Sequence, residues 1–261
     1  MLEVRAVCEE ELAAVALCIA RAFRSDPDDI RGMVEYFHNS LSGDTIPRLE
    51  NTRVAVLDGR VVSVVLIHDR QMLVRGVPVR LGFPPLVGTD PDHQGHGYGA
   101  LLLWDSAEYM RREGYHVSLI STETERFYER GGWSNFGHYH KLTLRIPEAI
   151  PAATALAGEV RPANLRGDLD PILAIFSRNN RDASGPAVRT RRFWEEFAAN
   201  WAFDYPIYHV AAVGRRIVAY LRNGYGRRLV EFGVLPGAEE AGFSLILHAC
   251  REAPGSGGGG S

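Results

Sequence analysis

The feature that most restricts the fold is a glycine-rich segment between a predicted strand and a predicted helix. The strand ends near Thr89, and a turn at residues 90–92 leads into Gln94-Gly-His-Gly-Tyr-Gly-Ala100. A helix follows, because apolar residues recur at helical spacing over 103–110. Glycines let a backbone approach an anion closely, and unpaired N–H groups at a helix start point at it. The segment therefore predicts a strand–loop–helix unit that binds pyrophosphate, with a plain connecting turn as the alternative.

The elements around this loop predict the fold class. Before it we expect strands at 3–7, 53–57, 61–69, 72–74 and 77–89, and helices at 9–23 and 30–41. After it we expect helices at 97–112 and 123–130 and strands at 116–120 and 139–145. Several consecutive strands before the main helix favour an α/β fold of the α+β sandwich type over a doubly wound sheet. Its central sheet is predicted to be mostly antiparallel and flanked by helices.

The chain repeats part of itself at an offset of 156 residues. Glu3-Val-Arg5 matches Glu159-Val-Arg161, and a strand pair within 54–62 matches one within 210–218. Short apolar strings also match by chance, so duplication is an interpretation. We predict a complete domain at 1–147, a Pro/Ala-rich linker at 148–158, a degenerate and incomplete copy at 159–253, and a flexible Gly/Ser tail at 254–261 that looks engineered.

Two motifs resemble those of the GNAT superfamily of N-acetyltransferases. Gln94-x-x-Gly-x-Gly99, preceded by Asp90-Pro91, resembles the family's pyrophosphate loop, and Phe127-Tyr-Glu-Arg-Gly-Gly-Trp133 resembles its Phe-Tyr-x-x-x-Gly-Phe element. The glycine spacing disfavours a Rossmann loop, and the absence of Gly-Lys-Ser/Thr excludes a Walker loop. The resemblance implies that 1–147 is a catalytic GNAT domain with acetyl-CoA as cosubstrate. The tandem arrangement more loosely resembles the enhanced intracellular survival type of acetyltransferase, without its sterol-carrier-like third domain.

The resemblance also implies roles for individual residues. Tyr128 is the expected catalytic acid that protonates the departing CoA thiolate, because a phenol stays protonated at neutral pH. A helix-packing tyrosine is the alternative. The backbone of the strand before the loop is expected to pair with pantetheine as if adding a strand. The expected cofactor-binding residues are Val87, Thr89, Gln94, Gly95, His96, Gly97, Gly99, Ala100 and Ser121.

The acceptor site and the base are less defined. Acceptor contacts are expected from Asp26, Asp28 and Asp29, between the first two helices, and from Phe83; the aspartates could instead cap the next helix. The strand predicted at 77–89 carries no carboxylate, and His68 is either a base acting through water or an ordinary strand histidine. The expected reaction is acetyl transfer to a primary amine of a small molecule or peptide by direct attack. A non-catalytic CoA-binding or regulatory module is the alternative.

In the second copy, the region that corresponds to the loop is 235–243. It lacks the glycine motif and carries Glu239 and Glu240, which would repel pyrophosphate. Only the first copy is therefore expected to bind CoA.

Charge and composition narrow the expected partners. A net charge of −3 and the lack of a signal peptide or a membrane-length apolar run predict a cytoplasmic protein without nucleic-acid or membrane partners, and leave a homo-oligomer open. The three cysteines are widely spaced, and His93 and His96 lack a third ligand, so no metal is expected. The basic cluster Arg189, Arg191 and Arg192 is interpreted as the solvated side of a helix.

Overall fold

The structure is a computed structural model that describes residues 1–23, 26, 30–31, 49–136, 158–191, 208–224 and 228–252. These residues divide into two compact units. The first contains the described residues up to 136 together with 184–187, and the second contains the other described residues from 158 onward. The predicted strand at 139–145 and the tail at 254–261 lie outside the described residues, as do most of the helix at 30–41 and most of the linker.

The first unit is a five-stranded sheet with three described helices. In chain order its elements are β1 (Leu2–Ala6), α1 (Leu12–Phe23), β2 (Thr52–Leu57), β3 (Arg60–Val74), β4 (Val77–Thr89), α2 (Tyr98–Arg112), β5 (Val117–Ser118) and α3 (Glu125–Glu129). The strand order is β1-β2-β3-β4-β5, antiparallel except for the parallel pairing of β4 with β5. This mixed α/β arrangement confirms the predicted fold class. The strands predicted at 61–69 and 72–74 form one continuous strand, β3.

One long helix packs on each face of this sheet. Successive strand residues point to opposite faces. On β3, Val64 and Leu66 therefore join the buried cluster around α1, whereas Val65 and Ile67 join the cluster around α2. The apolar faces of both helices are buried against the sheet, which stabilises the first unit mainly through the hydrophobic effect.

A bulge at Pro84-Pro85 interrupts β4. On either side of it, Leu66 of β3 pairs with Leu86 and His68 pairs with Phe83, so β4 has one more residue than β3 across this stretch. Proline has no N–H for a regular ladder and is tolerated in a bulge. The extra residue exchanges the faces to which β4 residues point.

Two glycines demonstrate this exchange of faces. A Cβ atom added to Gly82 would collide with Met110 of α2, whereas one added to Gly88 would lie 2.9 Å from the Cβ of Ala22 in α1. In a regular strand these two even-numbered positions would share a face. Both helices therefore approach β4 closely, one on each side of the bulge.

Residues 184–187 complete the sheet along the far end of β3. β2 pairs with β3 only as far as Leu66, so the β3 residues beyond it have an edge not covered by β2. There the N–H of Leu73 donates to the carbonyl oxygen of Pro186, and the N–H of Gly185 donates to the carbonyl oxygen of Leu73, both at 2.9 Å. A short segment from much later in the sequence thus belongs to the first unit.

The second unit contains a four-stranded antiparallel sheet and two described helices. Its elements are β6 (Glu159–Pro162), α4 (Leu165–Asn180), β7 (Tyr208–Val213), β8 (Arg216–Gly224), β9 (Arg228–Val234) and α5 (Glu239–Glu252). The strand order is β6-β7-β8-β9. Buried residues of both helices pack against the sheet, in one cluster around α4 and another around α5.

The strand registers of the two units agree at the sequence offset of 156. The pair Val54↔Val64 has its counterpart in Val210↔Tyr220, and the register shift after Ala55 has its counterpart after Ala211. A shared bulge position is a detail that short chance matches in sequence would not produce. The registers therefore support the interpretation that the second unit repeats the first.

The interpretation of the basic cluster as a solvated helix side was wrong for Arg189. Its guanidinium donates to both carboxylate oxygens of Glu231 at 2.8 Å and lies 3.9 Å from the ring centroid of Phe176, so it is largely buried. Arg191 forms an ion pair with Asp170 at 2.5 Å. Arg192 lies outside the described residues.

Replacement of Gly88 by alanine tests the close packing of α1 on β4. The added methyl group would press on Ala22, which is held by the helix backbone, so we expect Gly88→Ala to reduce the free energy of unfolding by about 1–3 kcal/mol. Urea denaturation measures this change. Gly167→Ala is the matched control, because its Cβ would meet no atom within 4 Å and alanine favours a helix. Equal stability of wild type and Gly88→Ala would contradict the packing described here.

Candidate functional site

No strand among the described residues pairs with the outer edge at the far end of β4, and backbone groups there point outward. β4 pairs with β5 only as far as Gly82, and the two strands then diverge. The N–H of Asp90 donates to the carbonyl oxygen of Val62 at 2.9 Å, which makes these two residues a hydrogen-bonded pair. Hydrogen-bonded and non-hydrogen-bonded pairs alternate along an antiparallel ladder. The N–H and C=O groups of Val87 and Thr89 therefore point away from β3, toward the side that β5 has left.

Gln94 and Thr89 connect this edge to the glycine loop. The Gln94 side-chain amide donates to the carbonyl oxygen of Thr89 at 3.2 Å. On the other side, the Thr89 hydroxyl lies 2.9 Å from that of Ser63 on β3. The strand end is thus held from both sides, and the loop folds back over it.

The loop has the backbone conformation that its glycines permit. Gly95 and Gly97 have φ values of 81° and 82°, in the left-handed region that disfavours residues with a Cβ atom. The Nδ1–H of His96 donates to the carbonyl oxygen of Gln94 at 2.9 Å, and its ring stacks on Tyr98 at a centroid distance of 5.7 Å. These contacts of the His96 side chain stabilise the loop conformation.

Helix α2 begins without a side-chain cap. Gly97 occupies the N-cap position. Its carbonyl oxygen accepts a hydrogen bond from the Leu101 N–H at 3.0 Å. The N–H groups in the first turn of a helix have no intrahelical partner, and the helix dipole places partial positive charge there. The start of α2 therefore offers N–H groups to an anion.

Arg21 of α1 forms ion pairs with the two aspartates just before the loop. Its guanidinium lies 3.3 Å from the carboxylate of the buried Asp90 and 2.9 Å from that of Asp92. The hydrogen bond from Arg21 holds the pKa of the Asp92 carboxyl below its ordinary value. Because both carboxylates face a cation, they repel an anion at the loop less than unpaired aspartates would.

Gly99 lies where α2 meets the end of β4 and α3. A Cβ atom at this position would lie 3.1 Å from the Thr89 hydroxyl and 3.2 Å from the ring of Phe127. The lack of a side chain therefore lets α2 pack between the end of β4 and α3. Phe127 precedes Tyr128, so the predicted acid lies on the helix that contacts the loop.

Tyr128 is half-buried in an aromatic cluster. Its ring lies edge-to-face with Phe127 at 5.1 Å and with Trp133 at 6.5 Å, and the Trp133 indole N–H donates to the Ser118 hydroxyl of β5 at 3.2 Å. Burial raises the pKa of Tyr128, and a hydrogen bond with the Thr122 side chain partly opposes this shift. Tyr128 therefore packs in the core through its ring and stays protonated at neutral pH.

The face of the sheet that carries α1 holds Phe83, one of the residues expected to contact an acceptor, and His68, the candidate base. Phe83 lies edge-to-face with His68 at 6.5 Å, beside the bulge. Burial and the nearby charge of Arg70 lower the pKa of His68 to about 4, so its imidazole is neutral at physiological pH. The carboxylate of the adjacent Asp69 forms an ion pair with the guanidinium of Arg80 at 2.7 Å. His68 is thus a neutral proton acceptor on a strand pair whose β4 member has no carboxylate.

The other predicted site residues are not joined to this group by the contacts described. Ser121 is exposed in the segment between β5 and α3. Asp26 is exposed and its carbonyl oxygen accepts from the Ile30 N–H at 2.9 Å, whereas Asp28 and Asp29 lie outside the described residues. Sequence reasoning missed the role of Arg21, whose partners lie about seventy residues later in the chain.

The described residues lack a metal-binding cluster and a membrane-spanning helix. No group of three His, Cys, Asp or Glu side chains in them is arranged to hold a metal ion. None of the described helices combines the length and apolar character needed to cross a membrane.

Comparison with known proteins identifies the family. The family model for the acetyltransferase (GNAT) domain matches residues 3–136, which is about half of the chain. The chain therefore belongs to the GNAT acetyltransferase family, and the predicted resemblance is confirmed. A search of curated proteins gave no match.

Solved structures of similar fold cover both units of the chain. A probable N-acyltransferase from Enterococcus faecalis V583 has a TM-score of 0.72 at 15% identity, over 97% of this chain and 62% of that one. Eis1 from Mycobacterium abscessus has a TM-score of 0.62 at 16% identity, over 96% and 63%. A GCN5-related N-acetyltransferase from Kribbella flavida has a TM-score of 0.62 at 18% identity, over 95% and 60%. At these identities the likeness concerns the fold, and this chain spans about three fifths of the length of each.

Proposed function

We propose that the first unit binds acetyl-CoA and transfers its acetyl group to a primary amine of a small molecule or peptide. The observation that carries this proposal is the outward orientation of the Val87 and Thr89 amides, on a strand that leads into an uncapped helix start. Pantetheine contains two amides that can pair with such an edge as an added strand would. The pyrophosphate would then reach Gly95, Gly97 and the N–H groups of the first turn of α2.

The proposed reaction is direct transfer without an acyl-enzyme. The amine nitrogen attacks the thioester carbon, a C–N bond forms, and the C–S bond breaks. The Val87 N–H is placed to stabilise negative charge on the thioester oxygen. Tyr128 gives its proton to the departing sulfur, and His68 accepts the proton that the nitrogen loses, directly or through water. The products are an N-acetyl amide and CoA with a free thiol.

The second unit is unsuited to the same cofactor. Between β9 and α5 the N–H of Gly237 donates to the carboxylate of Glu239 at 3.0 Å. Backbone N–H groups that hold this carboxylate lower its pKa, so it is ionised at neutral pH. A side-chain anion therefore occupies the start of α5, and we assign the transferase site to the first unit.

The charge at the loop is tested by the isosteric pair Gly97→Asp and Gly97→Asn. Both substitutions impose the same left-handed strain, but only aspartate adds a negative charge at the proposed pyrophosphate site. We expect CoA to bind Gly97→Asp at least about tenfold more weakly than Gly97→Asn, and the difference to shrink in high salt. Isothermal titration calorimetry measures both affinities. Equal affinities at low salt would place the pyrophosphate elsewhere.

Removal of the Tyr128 hydroxyl tests the general acid. Tyr128→Phe keeps the aromatic packing but removes the proton donor, so we expect kcat to fall by about 10²–10⁴-fold with little change in the affinity for CoA. Thiol release from acetyl-CoA with a panel of amines measures the rate. Tyr98→Phe, beside the same loop, is the matched control and should retain activity. Tight CoA binding without thiol release, unchanged by Tyr128→Phe, would favour the non-catalytic module instead.

Replacement of His68 tests the proton acceptor. Because the pKa of His68 is about 4, it is neutral across the pH range of the assay, and the wild-type rate above pH 6 should follow only the ionisation of the amine. We expect His68→Gln to lower kcat by at least about tenfold, and added imidazole to restore part of it. A pH–rate profile with and without imidazole makes the measurement. If His68→Gln raised KM alone, His68 would position the amine without accepting its proton.

A further inference from the structure

A cavity of about 990 Å³ lies in the second unit, between α4 and the turn from β7 to β8. Apolar residues, including Pro171, Ile175 and Ile217, line part of it. Its volume is in the range of small-molecule sites, which combine apolar walls with a few polar groups. The cavity is separate from the proposed transferase site, which lies in the first unit.

The rim of this cavity is strongly basic. Arg178, Arg215 and Arg216 are exposed on it, and no ion pair within the described part of the chain involves any of them. A fourth arginine, Arg161, is satisfied by Asp168 at 2.6 and 3.0 Å. Glu159 is the remaining acidic residue of the lining, so positive charge is in excess.

Arg178 is the counterpart of Arg21, the residue that forms ion pairs with two aspartates in the first unit. In each unit an arginine on the first strand donates to a carboxylate near the start of the first helix. Arg5 donates to Glu11 in the first unit, and Arg161 donates to Asp168 in the second. A step of ten residues leads from Glu11 to Arg21 and from Asp168 to Arg178. The second unit has thus kept this arginine.

The acidic partners of that arginine have been lost. In the first unit the N–H of Asp90 donates to Val62, and at the same place in the second unit the N–H of Leu235 donates to Val218. Leu235 therefore takes the position of Asp90, and it lines the cavity. Without the carboxylate, Arg178 is available to an anion from outside the chain.

The neighbouring turn has gained positive charge. The Asp58-Gly59 turn of the first unit corresponds to Gly214-Arg215 in the second, at the same offset as the strands. An acidic residue is replaced by glycine, and a glycine is replaced by arginine. The two changes and the loss of the aspartate all shift the local charge in the same direction.

We propose that this cavity binds a small molecule that carries a phosphate group on an apolar body. Guanidinium groups present paired N–H donors that match phosphate oxygens, and the excess charge at the rim favours a multiply charged anion. The apolar walls would accept the rest of the molecule. This site is independent of the proposed acetyl transfer.

Phenyl phosphate is a suitable probe, and phenol and inorganic phosphate test its two halves separately. Titration into the full chain, followed by calorimetry, should show saturable binding of phenyl phosphate that is stronger than that of either half. The double variant Arg178→Gln/Arg215→Gln should weaken binding by at least about tenfold. Arg181→Gln, an exposed change on an arginine paired with Asp182, is the matched control and should leave the affinity unchanged. Circular dichroism shows whether each variant keeps its fold.

The titration is repeated in the Gly97→Asp background, which separates this cavity from the first-unit loop. We expect the affinity for phenyl phosphate to be unchanged there. Loss of binding in Gly97→Asp would assign the probe to the loop and overturn the proposal. So would unchanged affinity in the folded double arginine variant, or the absence of saturable binding by the wild type.

Discussion

The bulge at Pro84-Pro85 is the constraint on which the candidate site depends. It adds one residue to β4 and so sets both the faces and the edges to which the following residues point. On the faces, it lets Gly82 receive α2 and Gly88 receive α1. On the edge, it brings the amides of Val87 and Thr89 outward where β5 has separated. In a regular strand of the same sequence the amides of Val87 and Thr89 would point toward β3, and those of Leu86 and Gly88 would point outward instead.

The charged side chains beside the glycine loop also lie at the end of β4. In the first unit Arg21 forms ion pairs with two aspartates, which lessens their repulsion of an anion at the loop, and the N–H groups at the start of α2 favour an anion there. In the second unit the Glu239 carboxylate occupies the start of α5, and no ion pair of Arg178 is found among the described residues. Although the two sheets share strand registers, the start of α5 therefore carries a negative charge, whereas the start of α2 offers N–H groups.

Much of the first unit could be predicted from local pattern, and the parts that could not depend on distant partners. The strand, the glycine loop and α2 follow from apolar spacing and from the run of glycines, two of which adopt positive φ values. The outward orientation of the Val87 N–H and C=O groups depends on which β3 residues pair with β4 on each side of the bulge. Helix α4 was not predicted because Pro171 and several charged residues interrupt its apolar pattern. Arg189 was misinterpreted because its partner Glu231 lies on a strand 42 residues later. The roles of Ser121 and of the three aspartates remain predictions.

The pairing of residues 184–187 with the end of β3 has a consequence for biosynthesis. Each of its backbone hydrogen bonds contributes on the order of 1 kcal/mol, and together they cover a strand edge that would otherwise be open to another chain. While the ribosome is still translating the second unit, the nascent first unit lacks this cover. A polypeptide cleaved after residue 147 would keep the glycine loop and Tyr128 but expose that edge permanently. The two units are therefore interleaved along the chain, and cleavage between 147 and 158 would leave the first unit prone to strand-mediated self-association.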